Sequence, residues 1–176
     1  MHELSRGRAT RNFVQLLDMS DYVVETELFP ALVLDAYTAW NMELDVSDAQ
    51  KSVMAAARGG AQGDYRSGMR GKIDNVVDCL SRFPRSKRAT ITIANEPMAL
   101  HSNDAEAKCL REVHLYLDEN GRLAGSAYFR AQAASVFPKN IHFIGSIMTE
   151  VAERLPQKPA LGELFYVTTI LVADRS

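Results

Sequence analysis

Cys109 and Arg130 are the two residues whose types and spacing suggest chemistry. They lie at the outer ends of two apolar, aromatic-containing runs, 108–117 and 122–130, that flank Asn120-Gly121. An Asn-Gly pair between such runs is the strongest short-range signal for a β-hairpin. Folding the runs together sets Cys109 opposite the region of Arg130, and facing side chains on one sheet surface stand only about 5 Å apart. A nearby guanidinium favours the thiolate, which is the nucleophilic form of cysteine. The bland alternative is that Cys109 packs as a small hydrophobe and Arg130 is a solvated strand end. Two further stretches offer the same choice. The glycine-rich segment 59–71, with Tyr65, Arg66 and Arg70, is either an active-site loop or a plain connection. The turn Arg85-Ser86-Lys87-Arg88 is either a phosphate site or solvated surface.

Other chemistries find little support. Cys79 and Cys109 form no zinc-type pair, and His2, His101, His114 and His142 are scattered, so no metal site is expected. A net charge of −2 gives no bulk electrostatic pull toward nucleic acid or an acidic membrane surface. The N-terminus lacks the apolar core of a signal peptide, and no apolar run reaches the roughly 18 residues of a membrane span. A cytoplasmic chain with both thiols reduced is the expectation.

The elements that must hold these residues follow from periodicity. With 176 residues, 47% of them apolar, the chain suits a single domain, 1–176. Residues 1–12 are polar and basic and suggest a mobile arm, with short strands at 13–17 and 22–24. Apolar positions at helical spacing predict a helix over 31–44, opened by Pro30, and another over 48–58 ended by Gly59-Gly60. Ile73, Val76, Val77, Leu80 and Phe83 mark an amphipathic helix that stops at Pro84. Cys79, inside it, should be hidden. A β-branched strand at 89–94, a loop at 95–107 and the hairpin come next. Ile141, Ile144, Ile147, Met148, Val151 and Leu155 form one helical stripe, and 164–172 reads as a buried closing strand. The order predicts an α+β fold with one large mixed sheet.

The succession of motifs resembles the thymidylate synthase and pyrimidine nucleotide hydroxymethylase superfamily, over roughly residues 63 to 170. Tyr65-Arg66-Ser67-Gly68-Met69-Arg70 is similar to the family's Tyr-Gly-x-Gln-Trp-Arg loop. Arg85-Ser86-Lys87-Arg88 stands where the family has Asp-Ser-Arg-Arg, and Ala94-Asn95-Glu96-Pro97 where it has Trp-Asn-Pro. Cys109 occupies the place of the nucleophile in Pro-Cys-His, and Tyr128-Phe129-Arg130 that of Tyr-Gln-Arg. Pro138-Lys139-Asn140-Ile141 matches Pro-Phe-Asn-Ile, and Gly162-Glu163-Leu164 the glycine-acid-phenylalanine before the last strand. The chain departs from the pattern at Ala107-Lys108 and Leu110 around the cysteine, at Ala131 and Ala133 after the arginine, and in the apolar Thr169-Ile170-Leu171-Val172, where the family reads ribose.

The resemblance implies a three-layer α/β arrangement dimerising through the face of a large sheet. It implies that Arg130 binds substrate phosphate in cis, that Lys87 and Arg88 do so from the partner subunit, and that Asn140 orients the base. Tyr65 and Asn95 are implied as further substrate contacts. Cys109 would add to C6 of a pyrimidine and make C5 nucleophilic toward a one-carbon unit from methylene-tetrahydrofolate. The family's catalytic carboxylate lies on an early tryptophan-containing helix, where Asp35 precedes Trp40; Glu25 and Glu27 are alternatives. Two functions stay open: a divergent one-carbon transferase, or a non-catalytic dimeric relative that kept an anion pocket.

Overall fold

Strand alternation sets up a sheet with one covered and one bare face. The computed structural model describes residues 9–55, 64–94 and 108–173. Its strands are β1 (Thr10–Asp18), β2 (Thr90–Thr92), β3 (Leu110–Leu117), β4 (Leu123–Ala133) and β5 (Leu161–Val172), in the spatial order β1-β5-β4-β3-β2. β4 and β5 are parallel, and every other neighbouring pair is antiparallel. A parallel pair needs a crossover, and helix α4 (Phe137–Arg154) supplies it. In β5, Leu164, Tyr166 and Thr168 are buried while Glu163 and Phe165 are exposed, the two-residue period of a half-covered strand.

Among the described residues, helices cover only the first of these faces. α3 (Met69–Arg82) buries Met69, Ile73, Val76 and Leu80, one stripe at helical spacing. These join Ile144, Ile147, Met148 and Val151 of α4 and Val113, Phe129 and Tyr166 of the sheet in one core. α1 (Ala31–Asn41) packs on α4, and a small second core joins its Val33 and Leu34 to Phe29, Ala133 and Val136. The short α2 (Asp48–Ser52) carries a capping box between Ser47 and Gln50. No helix among the described residues is long and apolar enough to cross a membrane.

The bare face carries apolar side chains. Register aligns Val14 with Val167 and Tyr128, and Leu16 with Phe165. Leu16 is 57% exposed and Phe165 44%, so this is a patch of the kind that marks an interface.

Several boundaries differ from the sequence reading. β1 begins at Thr10, so 10–12 belong to the sheet rather than to an arm; residues 1–8 lie outside the described residues. Residues 22–24 are not a strand. A 3-10 turn over Met19–Asp21, with the Asp18 carboxylate accepting from Ser20 N at 3.0 Å, diverts the chain, and the Tyr22 ring then packs toward α4. The first helix stops at Asn41 rather than at 44, because Glu43 takes a left-handed φ of 57°. The second stops at Ser52, whose hydroxyl donates back to the Ala49 carbonyl at 2.7 Å, a side-chain bond that competes with the helix.

Candidate functional site

The hairpin turn fixes which residues meet. The Asp118 carboxylate accepts from Asn120 N at 2.9 Å and Arg122 N at 2.8 Å, and Gly121 takes the left-handed φ of 74° that the turn requires. With that end pinned, Arg130 N donates to the Cys109 carbonyl at 2.7 Å, and Arg130 Nη2 stands 3.9 Å from Cys109 Sγ. A bulge between Leu110 and Glu112 adds one residue at this end of β3, a device that re-aims the strand. The guanidinium and the thiol are brought together as the hairpin register foretold.

Tyr65 holds the start of β3. It is 4% exposed, its hydroxyl accepts from Leu110 N at 3.3 Å, and its own N donates to Asn41 Oδ1 at 2.6 Å. Its ring stacks on Phe143 of α4, with centroids 5.9 Å apart. The segment carrying Tyr65 is tied down again two turns later. Glu43 accepts from Gly68 N and Arg70 N, and Arg70 makes a two-pronged pair with Glu150 at 2.7 and 2.6 Å. Burial alone would raise the Glu150 pKa, but the bonds from Arg70 and Arg154 outweigh it and hold the carboxyl below its usual range. The strand residue next to the thiol therefore sits on a rigid support.

Beside this lies a buried polar chain. Asn140, in the first turn of α4, is 4% exposed; its Nδ2 donates to Gln132 Oε1 at 2.7 Å, and its Oδ1 accepts from the Tyr37 hydroxyl at 3.3 Å. Tyr166 O–H donates to the same Gln132 Oε1 at 2.9 Å. Burial pushes the Tyr166 pKa well up, the neighbouring Tyr65 and Cys109 add to the rise, and a bond with Asn140 opposes it. Tyr166 is thus a protonated donor linking the thiol's surroundings to Asn140. Lys139 is buried with its ammonium 4.3 Å from the Tyr37 ring centroid.

Other sequence candidates fall elsewhere. Lys87 and Arg88 are exposed in the turn before β2, the edge strand. Asp35 is on α1, its side chain 61% exposed and 3.8 Å from His142 Nε2. Glu25 caps α1, accepting from Ala31 N at 2.8 Å, and Glu27 is exposed. None of these carboxylate contacts involves Cys109. Asn95 lies outside the described residues. Cys79 is not hidden: it is half-buried, like Cys109, and its S–H donates to Ser86 Oγ at 3.1 Å. No cluster of three or more His, Cys, Asp or Glu suited to a metal occurs among the described residues.

Gln132, Tyr166 and Tyr37 were missed. Tyr166 had a signal, since it shares the buried parity of β5 with Leu164 and Thr168, and a buried phenol must find a partner. Gln132 and Tyr37 had none, because their partners are eight or more residues away on other elements.

No family model and no curated protein matches the chain. Among solved structures, thymidylate synthase from T4 phage is similar, with a TM-score of 0.70 and 15% identity over 93% of this chain and 66% of that one. The fold is thymidylate synthase-like, and the chain spans about two thirds of that enzyme's length.

Proposed function

We propose that the chain is a thymidylate synthase-like one-carbon transferase that methylates or hydroxymethylates C5 of a pyrimidine, or a similar carbon, on a phosphate-bearing substrate. The observation that carries this reading is the meeting of Cys109 Sγ with Arg130 Nη2 at 3.9 Å, on a strand start fixed by Tyr65. A guanidinium there can offer charge-assisted bonds to a substrate phosphate beside the sulfur. The sulfur forms a bond to ring C6, and the electron pair displaced to C5 attacks the incoming carbon. Loss of the C5 proton, cleavage of the carbon's bond to its carrier, and delivery of a hydride from that carrier for a methyl product, or of water for a hydroxymethyl product, would complete the transferred group; expulsion of the sulfur would restore the ring and free the enzyme. Asn140 orients the base, and the buried Tyr166 phenol stays protonated beside it. Methylene-tetrahydrofolate would supply the one-carbon unit. The exposed Asp35 carboxylate and the Trp40 indole on α1 are chemically suited to its N–H donors and flat ring, although Arg66 already lies 4.0 Å from the Trp40 ring centroid.

The enzyme works as a homodimer through the bare sheet face, with Lys87 and Arg88 reaching the partner's phosphate site. A second reading, a non-catalytic nucleotide-binding dimer, is favoured by one observation: the Asn140 amide already has partners in Gln132 and Tyr37 and is nearly buried. Incubation with dUMP, dCMP, UMP or CMP plus methylene-tetrahydrofolate separates the two. Product, and a covalent adduct by intact-mass spectrometry that Cys109→Ser abolishes, is the expected result. Nucleotide binding without adduct or product would instead establish the binding protein.

A further inference from the structure

We propose that Asn41, the last residue of α1, is a positioning residue for Cys109: it fixes Tyr65, and Tyr65 fixes the peptide that sets the thiol beside Arg130. This rests on the reading of Cys109 as the nucleophile and adds a residue that acts on it through another. The Cys109–Leu110 peptide is held at both ends. Its carbonyl accepts from Arg130 N at 2.7 Å, and its N–H donates to the Tyr65 hydroxyl at 3.3 Å. The bulge between Leu110 and Glu112 breaks the even strand ladder just beyond this peptide. Tyr65 therefore supplies a hold from outside the sheet where regular pairing is interrupted. A peptide gripped from two sides does not turn, and its orientation sets where the Cys109 side chain points.

Tyr65 is in turn held from α1. Its ring, 4% exposed, stacks on Phe143 with centroids 5.9 Å apart, a contact that sets the plane of the ring more than its position along that plane. The Asn41 amide sets the rest. Its Nδ2 donates at 2.9 Å to the Tyr37 carbonyl, which can only accept, so its Oδ1 faces Tyr65 N and accepts from it at 2.6 Å. Asn41 is 1% exposed, so water does not replace either bond. Glu43, just beyond, accepts from Gly68 N at 3.0 Å and Arg70 N at 3.1 Å. Glu43 thus grips the far end of the 65–70 segment, whereas Asn41 holds Tyr65 itself. The contacts run in series from α1 to the thiol, and a misplacement of about 1 Å can slow a reaction by about a hundredfold.

The test compares the full chain with Tyr65→Phe, which keeps the ring on Phe143 and removes the hydroxyl, with Asn41→Leu, which keeps the volume and removes both bonds, and with the double variant. Without any ligand, hydrogen exchange at the Leu110 amide, read by NMR, should quicken by at least about tenfold in each variant. Val113, paired with both neighbouring strands, should keep its wild-type rate. With dUMP, dCMP, UMP or CMP, calorimetric affinity should stay within about threefold, because Arg130 is untouched. With methylene-tetrahydrofolate added, the covalent adduct at Cys109 should form at least about tenfold more slowly. A merely structural residue would not separate binding from adduct formation in this way. Contacts in series are not additive, so the double variant should be no slower than the slower single one. Wild-type exchange at Leu110 or a wild-type adduct rate in folded Asn41→Leu would overturn the proposal, as would a double variant slowed by the product of the two single effects. Should Asn41→Leu not fold, Asn41→Ser, whose smaller side chain leaves space for water at Tyr65 N, takes its place under the same criteria. A wild type that forms no adduct with any of these nucleotides is a different failure, that of the functional reading, and the ligand-free Leu110 exchange then decides whether Asn41 holds the Cys109 strand.

Discussion

At the scale of single residues, the site was legible wherever a local rule fixed geometry. Asn120-Gly121 sets the hairpin register, and the register alone carries Cys109 to Arg130. Nothing local ties Gln132 to Asn140 or Tyr37, so that chain stayed invisible until the elements were packed. The two cysteines sharpen the point. Both are half-buried, so burial does not separate them. Their partners do, since Cys79 is bonded to Ser86 while Cys109 lies beside a cation. Iodoacetamide should therefore modify Cys109 before Cys79, read by peptide mass mapping, and phosphate or a nucleotide should slow it. In Arg130→Ala that protection should vanish while the thermal melt barely moves, because an exposed polar substitution is rarely a large stability term. Faster modification of Cys79, or protection that survives in Arg130→Ala, would remove Cys109 and its clamp from the reaction.

At the scale of elements, periodicity found α3, α4 and β5 because each presents a long apolar stripe to one core. It failed at 22–24, where Val23 and Val24 have strand propensity but are about half exposed and the packing is done by the Tyr22 ring. That ring explains Gly145: a Cβ at this position of α4 would fall inside the Tyr22 ring, whose hydroxyl also meets Thr149 Oγ1 at 3.1 Å. Gly145→Ala should therefore destabilise the fold by about 1–3 kcal/mol, as overpacking does. The cost should largely disappear in a Tyr22→Ala background, a coupling that denaturant melts of the four proteins would measure. The neighbouring α1–α4 contact titrates. His142 is buried with its Nδ1 2.7 Å from Thr38 Oγ1; burial pushes its pKa below 6.5, and Asp35, the charged group facing it, opposes the shift. A lowered folded-state pKa means that the unfolded chain takes up the proton first as pH falls. Stability from this contact is then complete above pH 6.5 and declines as pH drops below that toward the folded value. His142→Gln keeps a polar partner for Thr38 and does not titrate, so its melting temperature should fall less than the wild type's between about pH 7 and pH 5.5. Parallel pH profiles would show that His142 does not couple these helices to pH.

At the scale of the whole molecule, the described residues leave one face of the sheet uncovered. Helices bury the side of Leu164, Tyr166 and Phe129, while Val14, Leu16, Tyr128 and Phe165 stand 44–57% exposed on the other. Register makes them neighbours rather than scattered surface residues, since Leu16 pairs with Phe165, and Val14 with Val167, itself beside Tyr128. Isolated exposed apolar side chains need no explanation, but a contiguous set on a flat sheet does. In the proposed function the occupant is a second copy, and Lys87 and Arg88, exposed in the turn before the edge strand β2, serve a phosphate held by the partner's Arg130. Sedimentation at micromolar protein should therefore report a dimer. Leu16→Glu with Phe165→Glu places like charges on paired strands in a desolvated face, and should yield a folded monomer. That monomer should retain the Cys109–Arg130 pair within each chain and lose much of its nucleotide affinity. Lys87→Ala with Arg88→Ala should lower affinity in the same way while the dimer persists. A wild type that sediments as a monomer, or a double-glutamate variant that remains dimeric, would take the bare face out of the assembly and Lys87 and Arg88 out of the site.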